Sequence, residues 1–317
     1  MSAPSPRFPL GPFRPYPDNP ILRPRGNSWE SANLYNPAAI VEDDQVLLLY
    51  RAHAEDIISH VGLARSSDGY HFEREPAPIL SPEHPWESRG CEDPRVSKIN
   101  GTYYLTYTGY DGTTAQLCLA TSTDLHDWTK HGPILPTGFD TFAPVDGDHG
   151  RTWSKAGVIH PQPIDGLYYL YFGEGAIFYA TSPDLLHWTP CPQDQPIHVP
   201  TPGTWNERLV EIGAPPVVTD DGLLIFMING ARAGESTRVD YRCGQFSIAL
   251  NDPTTVIAAM TVPWLRPQTA EELHGLVSNV TFVEGLVWFR DRWLAYYGQS
   301  DTTLAVAEYR PDRDDYR

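Results

Sequence analysis

The sequence predicts an all-β chain folded as one five-bladed β-propeller, and three periodic signals carry that prediction. The first is a proline beat. The string x-Pro-Ile-Leu recurs at Asn19-Pro20-Ile21-Leu22, Ala77-Pro78-Ile79-Leu80 and Gly132-Pro133-Ile134-Leu135, and more loosely at Gln195-Pro196-Ile197-His198 and Val262-Pro263-Trp264-Leu265. Successive prolines stand 58, 55, 63 and 67 residues apart, so five such units fill the 317 residues.

The second signal is a hairpin in each unit. Turn residues precede an apolar, aromatic-rich run at Asp44-Gln45 (run 46–50), Asn100-Gly101 (103–107), Asp165-Gly166 (167–172), Asp221-Gly222 (223–227) and Asp291-Arg292 (293–297). Asn-Gly and Asp-Gly between apolar runs are the strongest short-range hairpin signals, because both central residues of a type I′ turn need positive φ. The third signal appears three times at fixed offsets: Ala64, Ser66, Asp68 and Phe72; Ala120, Ser122, Asp124 and Trp128; Ala180, Ser182, Asp184 and Trp188. A Ser-x-Asp turn followed by an aromatic closes the outer hairpin of a blade, so these aspartates read as structural. Self-similarity at this period, built from short strands, means a propeller or solenoid. No helix-length amphipathic pattern interrupts it.

Composition bounds the partners. With 41% hydrophobic residues the chain can bury a core, and its net charge of −17 is spread along its length. Nucleic acid and anionic membrane both need a basic face, so neither is expected as a partner. Cys91, Cys118, Cys191 and Cys243 show no Cys-x-x-Cys spacing and suggest neither a zinc site nor a disulfide framework. The N-terminus lacks a basic stretch followed by an apolar one, and no run of 18 apolar residues occurs; the expected location is the cytoplasm. Prolines at positions 4, 6, 9, 12, 15 and 17 make residues 1–18 an arm that forms no helix or central strand. Such an arm can lie on the propeller, residues 19–317, or clasp a second copy in a homo-oligomer.

In a propeller the first strand of each blade lines the central shaft. The residues that lead into those strands, seven to twelve positions before each hairpin turn, are Asn36, Asp93, Lys155, Glu211 and Asn279. All are polar although each precedes an apolar strand, and polar groups aimed into a narrow shaft need partners or a ligand. The second strands return to the same mouth carrying Arg51, Thr108, Glu174, Asn229 and the stretch 298–301. The expected site is therefore a mouth ringed by Asp93, Glu174, Glu211 and Asp301, with Arg51, Arg95 and Lys155 among them. Opposed carboxylates are what glycosidic cleavage requires: one protonates the leaving oxygen and another activates the nucleophile. The competing reading is an axial salt-bridge network without catalysis. No Gly-x-Ser-x-Gly elbow, phosphate-loop lysine or His-Glu-x-x-His helix is present, the eleven histidines are scattered, and neither metal nor cofactor is expected.

The stretches Asn36-Pro37-Ala38-Ala39, Tyr50-Arg51-Ala52, Gly90-Cys91-Glu92-Asp93-Pro94-Arg95-Val96, Ile212-Gly213-Ala214-Pro215-Pro216 and Tyr296-Tyr297-Gly298-Gln299-Ser300-Asp301 resemble glycoside hydrolase family 130. The resemblance runs from about Asn19 to Ala307, and Gly-x-Glu-Asp-Pro-Arg is its most specific element. It implies a five-bladed propeller acting on an oligosaccharide, a β-mannoside, with inversion. Some members are phosphorylases and others hydrolases. By the resemblance Asp93 is the acid, acting in the phosphorylases through a hydroxyl of the mannosyl unit, while Asn36, Arg51, Arg95, Lys155 and Asp301 fall where the family holds sugar or phosphate.

Within the family, phosphorylases need a cationic cradle, commonly with His or Arg after the second strand of the third blade. Here that place reads Tyr171-Phe172-Gly173-Glu174-Gly175. A carboxylate there resembles the hydrolytic β-1,2-mannosidase branch, with Glu174 and Glu211 as candidate bases. An unpaired carboxylate about 4 Å from phosphate would cost on the order of 4 kcal/mol at an effective dielectric near 20. The expectation is thus an inverting hydrolase using water on β-mannosides, β-1,2-linked ones favoured. The alternatives are a mannoside phosphorylase releasing mannose 1-phosphate, a furanosidase or fructan-cleaving specificity, and a sugar-binding propeller without turnover.

Overall fold

The computed structural model describes residues 5–146, 152–233 and 239–311. Five antiparallel sheets make the five blades of a β-propeller. Blade 1 runs through Asn33–Glu42, Gln45–His53, His60–Ser66 and Glu73–Arg74, and blade 2 through Gly90–Ile99, Thr102–Tyr110, Ala115–Ser122 and Thr129–Pro133. Blade 3 comprises Gly157–Ile159, Tyr168–Phe172, Phe178–Ser182 and Thr189–Pro190. Blade 4 comprises Leu209–Ile212, Leu223–Ala233, Val239–Ala249 and Asp252–Ala259, with Val217–Val218 beside it. In blade 5, Thr281–Phe289, Arg292–Gln299 and Thr303–Tyr309 are completed on the outside by Arg14–Pro15. Arg14 pairs with Glu308 and Pro15 with Ala307, so the N-terminal arm closes the ring. Leu10 and Phe13 are buried against blades 4 and 5, and Gln245 both donates to the Leu10 carbonyl and accepts its N–H, each at 2.7 Å.

The proline beat has one structural meaning in all five units. The residue after each proline donates its N–H to the third strand of a blade, or in blade 3 to the residue that leads into it: Ile21 to Leu304, Ile79 to Val61, Ile134 to Leu117, Ile197 to Ile177 and Trp264 to Cys243. Each segment hooks onto a blade edge, where the proline's missing N–H is no loss. The Ser-x-Asp turns also form as expected. Ser66, Ser122 and Ser182 accept the N–H three residues on, and Asp68, Asp124 and Asp184 accept the N–H groups two and three residues on. Two hairpin turns lie one residue earlier than the sequence suggested, at Asp43-Asp44 and Arg290-Asp291. In the first of these both residues take positive φ, 48° and 56°, as they do at Asn100-Gly101 and Asp165-Gly166.

Five apolar clusters hold the ring, one at each interface between neighbouring blades. Strand periodicity explains the arrangement. Val46, Leu48 and Tyr50 face blade 5, whereas Leu47 and Leu49 face blade 2, and all five are buried. A blade with both faces covered reads as a continuous apolar run, as these strands do. Each fully buried leucine contributes about 1.5–3 kcal/mol relative to exposure.

Candidate active site

Three strand bulges aim polar side chains at the shaft axis. Pairing slips between Tyr35 and Pro37 in blade 1, between Glu92 and Arg95 in blade 2, and between Val283 and Gly285 in blade 5. The residues thrown out of register are Asn36, Asp93 with its proline, and Glu284. Asn36 and Asp93 have φ of 54° and 50°, a conformation Asn and Asp tolerate better than other non-glycine residues. Each is followed by a proline, acceptable at a bulge because no ladder bond is lost. In blade 5, Glu284 therefore takes the place that the sequence assigned to Asn279. Asn279 is half-buried ahead of the strand, and its backbone carbonyl accepts from the Tyr241 N–H at 3.0 Å.

The structure gathers Asn36, Arg51, Asp93, Lys155, Glu174 and Glu211 into one network at the mouth. Asn36 Nδ2 donates to Asp93 Oδ1 at 2.5 Å, and Arg51 Nη1 donates to the same oxygen at 2.9 Å. Arg51 also reaches Glu92 at 2.6 Å, with its guanidinium 4.4 Å from the Tyr35 ring centre. Lys155 Nζ lies 3.1 Å from Glu174, 3.5 Å from Asp93 and 3.8 Å from Glu211, so one cation joins blades 2, 3 and 4. Asp301, with φ 51°, is partly exposed within range of the charges on Arg51, Asp93 and Lys155.

Glu174 owes its position to Gly173. The second strand of blade 3 stops at Phe172, and Gly173, at φ 131°, sends the chain across to blade 4. There the short strand Glu174–Gly175 pairs with blade 4, placing Glu174 opposite Glu211. A Cβ at residue 173 would stand 2.0 Å from the Ala176 carbonyl oxygen, so no other residue fits without rebuilding the turn.

Arg95 is placed differently from what a sugar or phosphate contact would require. It is fully buried beneath the mouth, donating to the carbonyls of Asp93 (3.0 Å), Ile212 (2.8 Å) and Gly213 (3.3 Å), with Glu284 at 2.8 Å and Glu211 at 3.8 Å. Asn229 is likewise committed to the scaffold: its amide donates to the Val283 carbonyl at 2.9 Å and accepts the Val283 N–H at 2.8 Å, joining blades 4 and 5. Sequence reasoning missed Glu284 and Tyr241. A carboxylate followed by glycine inside the apolar run 281–289 was the available signal for Glu284. The Tyr241 hydroxyl, 3.4 Å from Glu174, had none.

The charges sort themselves by environment. Burial alone would raise Asp93, but the cations of Arg51, Lys155 and Arg95 hold it well below the usual carboxylate range. Burial raises Glu211 to about 8; Lys155 opposes this and Glu174 adds to it. Burial also raises Glu284 well above its ordinary value, and lifts Asp301 to about 6 against the pull of Arg51. At neutral pH the mouth therefore holds an ionised Asp93 and a protonated Glu211. Among the described residues no group of three or more His, Cys, Asp or Glu side chains is placed to hold a metal. No helix is long and apolar enough to cross a membrane among them either.

A propeller with carboxylates, an amide and cations crowded at one mouth of its shaft has the makeup of an enzyme for glycosidic bonds. The chain belongs to glycoside hydrolase family 130, described as beta-1,4-mannooligosaccharide phosphorylase, which it matches over residues 17–313. It is 36% identical to a 1,2-beta-oligomannan phosphorylase of Thermoanaerobacter sp. (strain X514), covering 92% of this chain and 94% of that protein. It is 32% identical, with the same coverage of both chains, to a beta-1,2-mannobiose phosphorylase of the same organism. A structure solved in work on the family's mannoside phosphorylases, and on glycoside hydrolases among them that target beta-1,2 mannosidic linkages in Candida mannan, superposes with a TM-score of 0.86. It shares 33% identity, covering 97% of this chain and 96% of that one.

The two phosphorylases correct the expectation of an inverting hydrolase. The geometry supplies the physical reason. An inverting hydrolase separates acid and base by about 6.5–9.5 Å to seat a water. Here Lys155 Nζ contacts both the expected acid and one candidate base, 3.5 Å from Asp93 and 3.1 Å from Glu174, so a cation joins the two groups. Burial raises Glu211 to about 8, so only a minor fraction of it is ionised to act as a base at neutral pH. The repulsion argument fails with it, because it assumed unpaired carboxylates. Glu174 is held by Lys155 and Asp93 by Arg51 and Asn36.

Proposed function

We propose that this protein is a phosphorylase of β-mannosides, acting on β-1,2-linked oligomannan. Phosphate attacks the anomeric carbon of the terminal mannosyl unit; the bond to the glycosidic oxygen breaks, and that oxygen takes the proton. The products are mannose 1-phosphate, α by inversion, and an oligomannan one unit shorter. Two phosphorylase relatives across nearly the whole chain support the reaction and the linkage. The observation that carries it in the site is Lys155, which with Arg51 pairs Glu92, Asp93 and Glu174 so that these carboxylates do not face an incoming anion uncompensated.

Asp93 is the proton source in this reading, relaying through a mannosyl hydroxyl to the leaving oxygen. Its cationic neighbours hold it below the usual carboxylate range. Phosphate entering beside Arg51 and Lys155 offsets their charge and raises Asp93 toward the protonated form that the step needs. Asn36, Asp301 and Tyr241 supply the polar rim that orients the sugar. The test is product identity: β-1,2-mannobiose with inorganic phosphate, followed by phosphorus NMR, should give α-mannose 1-phosphate and free mannose in equal amounts. Free mannose alone would reject the reading.

A further inference from the structure

We propose that Glu284 is a positioning residue for this reaction, anchoring Arg95 so that the guanidinium sets the spacing of Asp93 and Glu211. The inference rests on the phosphorylase reading for the identity of the reaction, and on geometry alone for the role. Glu284 is fully buried at the blade 5 bulge, in the place that Asn36 and Asp93 occupy in blades 1 and 2. Unlike them, its carboxyl group meets Arg95. Gly285 makes that possible: a Cβ there would stand 2.7 Å from the Pro37 carbonyl oxygen, so the glycine lets blade 5 press against blade 1 at the axis.

Arg95 is where three blades meet. Its Nη1 fixes the Asp93 carbonyl at the bulge, and its Nε and Nη2 hold the Gly213 and Ile212 carbonyls, which directly follow Glu211. Glu284 Oε1, 2.8 Å from Nη2, completes the set from blade 5. That contact is short but off the N–H direction, and neither Glu284 oxygen has an aligned hydrogen bond among the described residues. The carboxyl therefore acts as a lateral stop on the guanidinium. Remove it, and the nearest acidic group left to Arg95 is Glu211, 3.8 Å away. The guanidinium would turn toward Glu211, pulling it from Lys155 and dragging the Asp93 carbonyl with it. The charged groups acting on Glu211 are Lys155, Glu174, Arg95 and Asp93. Those acting on Glu284 are Arg95, Asp93, Glu211 and Lys155.

The full chain labelled with 13C-glutamate provides the test, with the Glu211 carboxyl signal identified by its loss in Glu211→Gln. In Glu284→Leu the Glu211 titration should move down by about one pH unit or more, because Arg95 now serves it directly. In Glu284→Gln, which keeps a neutral group of the same shape against Arg95, it should stay near its native value. Phosphorolysis should follow the same order: kcat falls about 10–100-fold in the leucine variant with KM for the mannoside within about threefold, and glutamine restores most of it. Glu284→Asp, shorter by one carbon, should shift Glu211 in the same direction by less, and it serves where leucine prevents folding. An unchanged Glu211 titration in every folded variant would overturn the proposal. The NMR arm reads the role even if the wild-type protein does not use phosphate, so the two claims fail separately.

Discussion

Glu174 and Glu211 are register partners across the junction of blades 3 and 4, and Lys155 Nζ lies 3.1 Å from one and 3.8 Å from the other. Two carboxyl groups facing each other in a buried site cannot both ionise cheaply. Here one is matched by the lysine and the other keeps its proton. A pair that reads in sequence as two candidate bases is, in three dimensions, bridged by one lysine.

Replacing Asp93 tests the proton source. Asp93→Asn retains the left-handed backbone at φ 50°, which asparagine tolerates as well as aspartate. It cannot deliver a proton, so kcat should fall by roughly two to four orders of magnitude. It also removes a counter-charge from Arg51 and Lys155, so stability should drop by about 1–3 kcal/mol, measured by urea unfolding. Near-native kcat would remove Asp93 from the chemistry.

Glu211 sets an alkaline limit on phosphate use. Its folded-state value is raised, to about 8, so the carboxyl is neutral below that pH and ionises above it. Above pH 8 the new negative charge competes with phosphate for Lys155. KM for phosphate should therefore rise from pH 7.5 to 9 while KM for the mannoside stays flat, and Glu211→Gln should abolish the rise. An equal rise in that variant would assign it elsewhere.

Gly173 is predicted to be irreplaceable. Gly173→Ala forces a methyl group to 2.0 Å from the Ala176 carbonyl oxygen at a φ of 131°. The turn that delivers Glu174 must rebuild, at a cost of about 3 kcal/mol or more. Calorimetry should show a lower Tm together with a loss of activity. A variant with native Tm would show that the turn relaxes without strain.

His160 makes the fold acid-sensitive. Its ring is buried, neither nitrogen has a partner among the described residues, and burial lowers it to about 4. The unfolded chain binds that proton near pH 6.5, so stability is intact above that value and is lost as pH falls toward 4. The loss should be of order 1–3 kcal/mol between pH 7 and 4.5. His160→Leu should flatten that part of the profile, and an unchanged slope would exclude His160 as the cause.

The fold was legible because propeller blades repeat. The Pro-Ile-Leu hook makes the same backbone contact in every blade, and Ser66, Ser122 and Ser182 close the same turn three times, so spacing alone exposes the architecture. Much of the site was legible for the same reason: Asn36 and Asp93 mark equivalent bulges. Blade 5 broke the pattern, since its bulge carries Glu284 without a following proline, and the count from the hairpin settled on Asn279. What could not be read was protonation. That Asp93 is held low while Glu211 is raised depends on how burial is weighed against the cations: Arg51 donates directly to Asp93 at 2.9 Å, whereas Lys155 and Arg95 stay 3.8 Å from Glu211, and no spacing in the sequence encodes this. The hydrolytic expectation rested on Glu174 and Glu211 as candidate bases, and the phosphorylase relatives overturn it.

The measurement that tests the central claim most directly is the initial rate of β-1,2-mannobiose cleavage as a function of phosphate concentration in phosphate-free buffer. The account predicts a saturable dependence that extrapolates to essentially no cleavage at zero phosphate, with one mannose 1-phosphate formed per bond broken. Cleavage at an undiminished rate without phosphate, releasing two molecules of mannose, would contradict it.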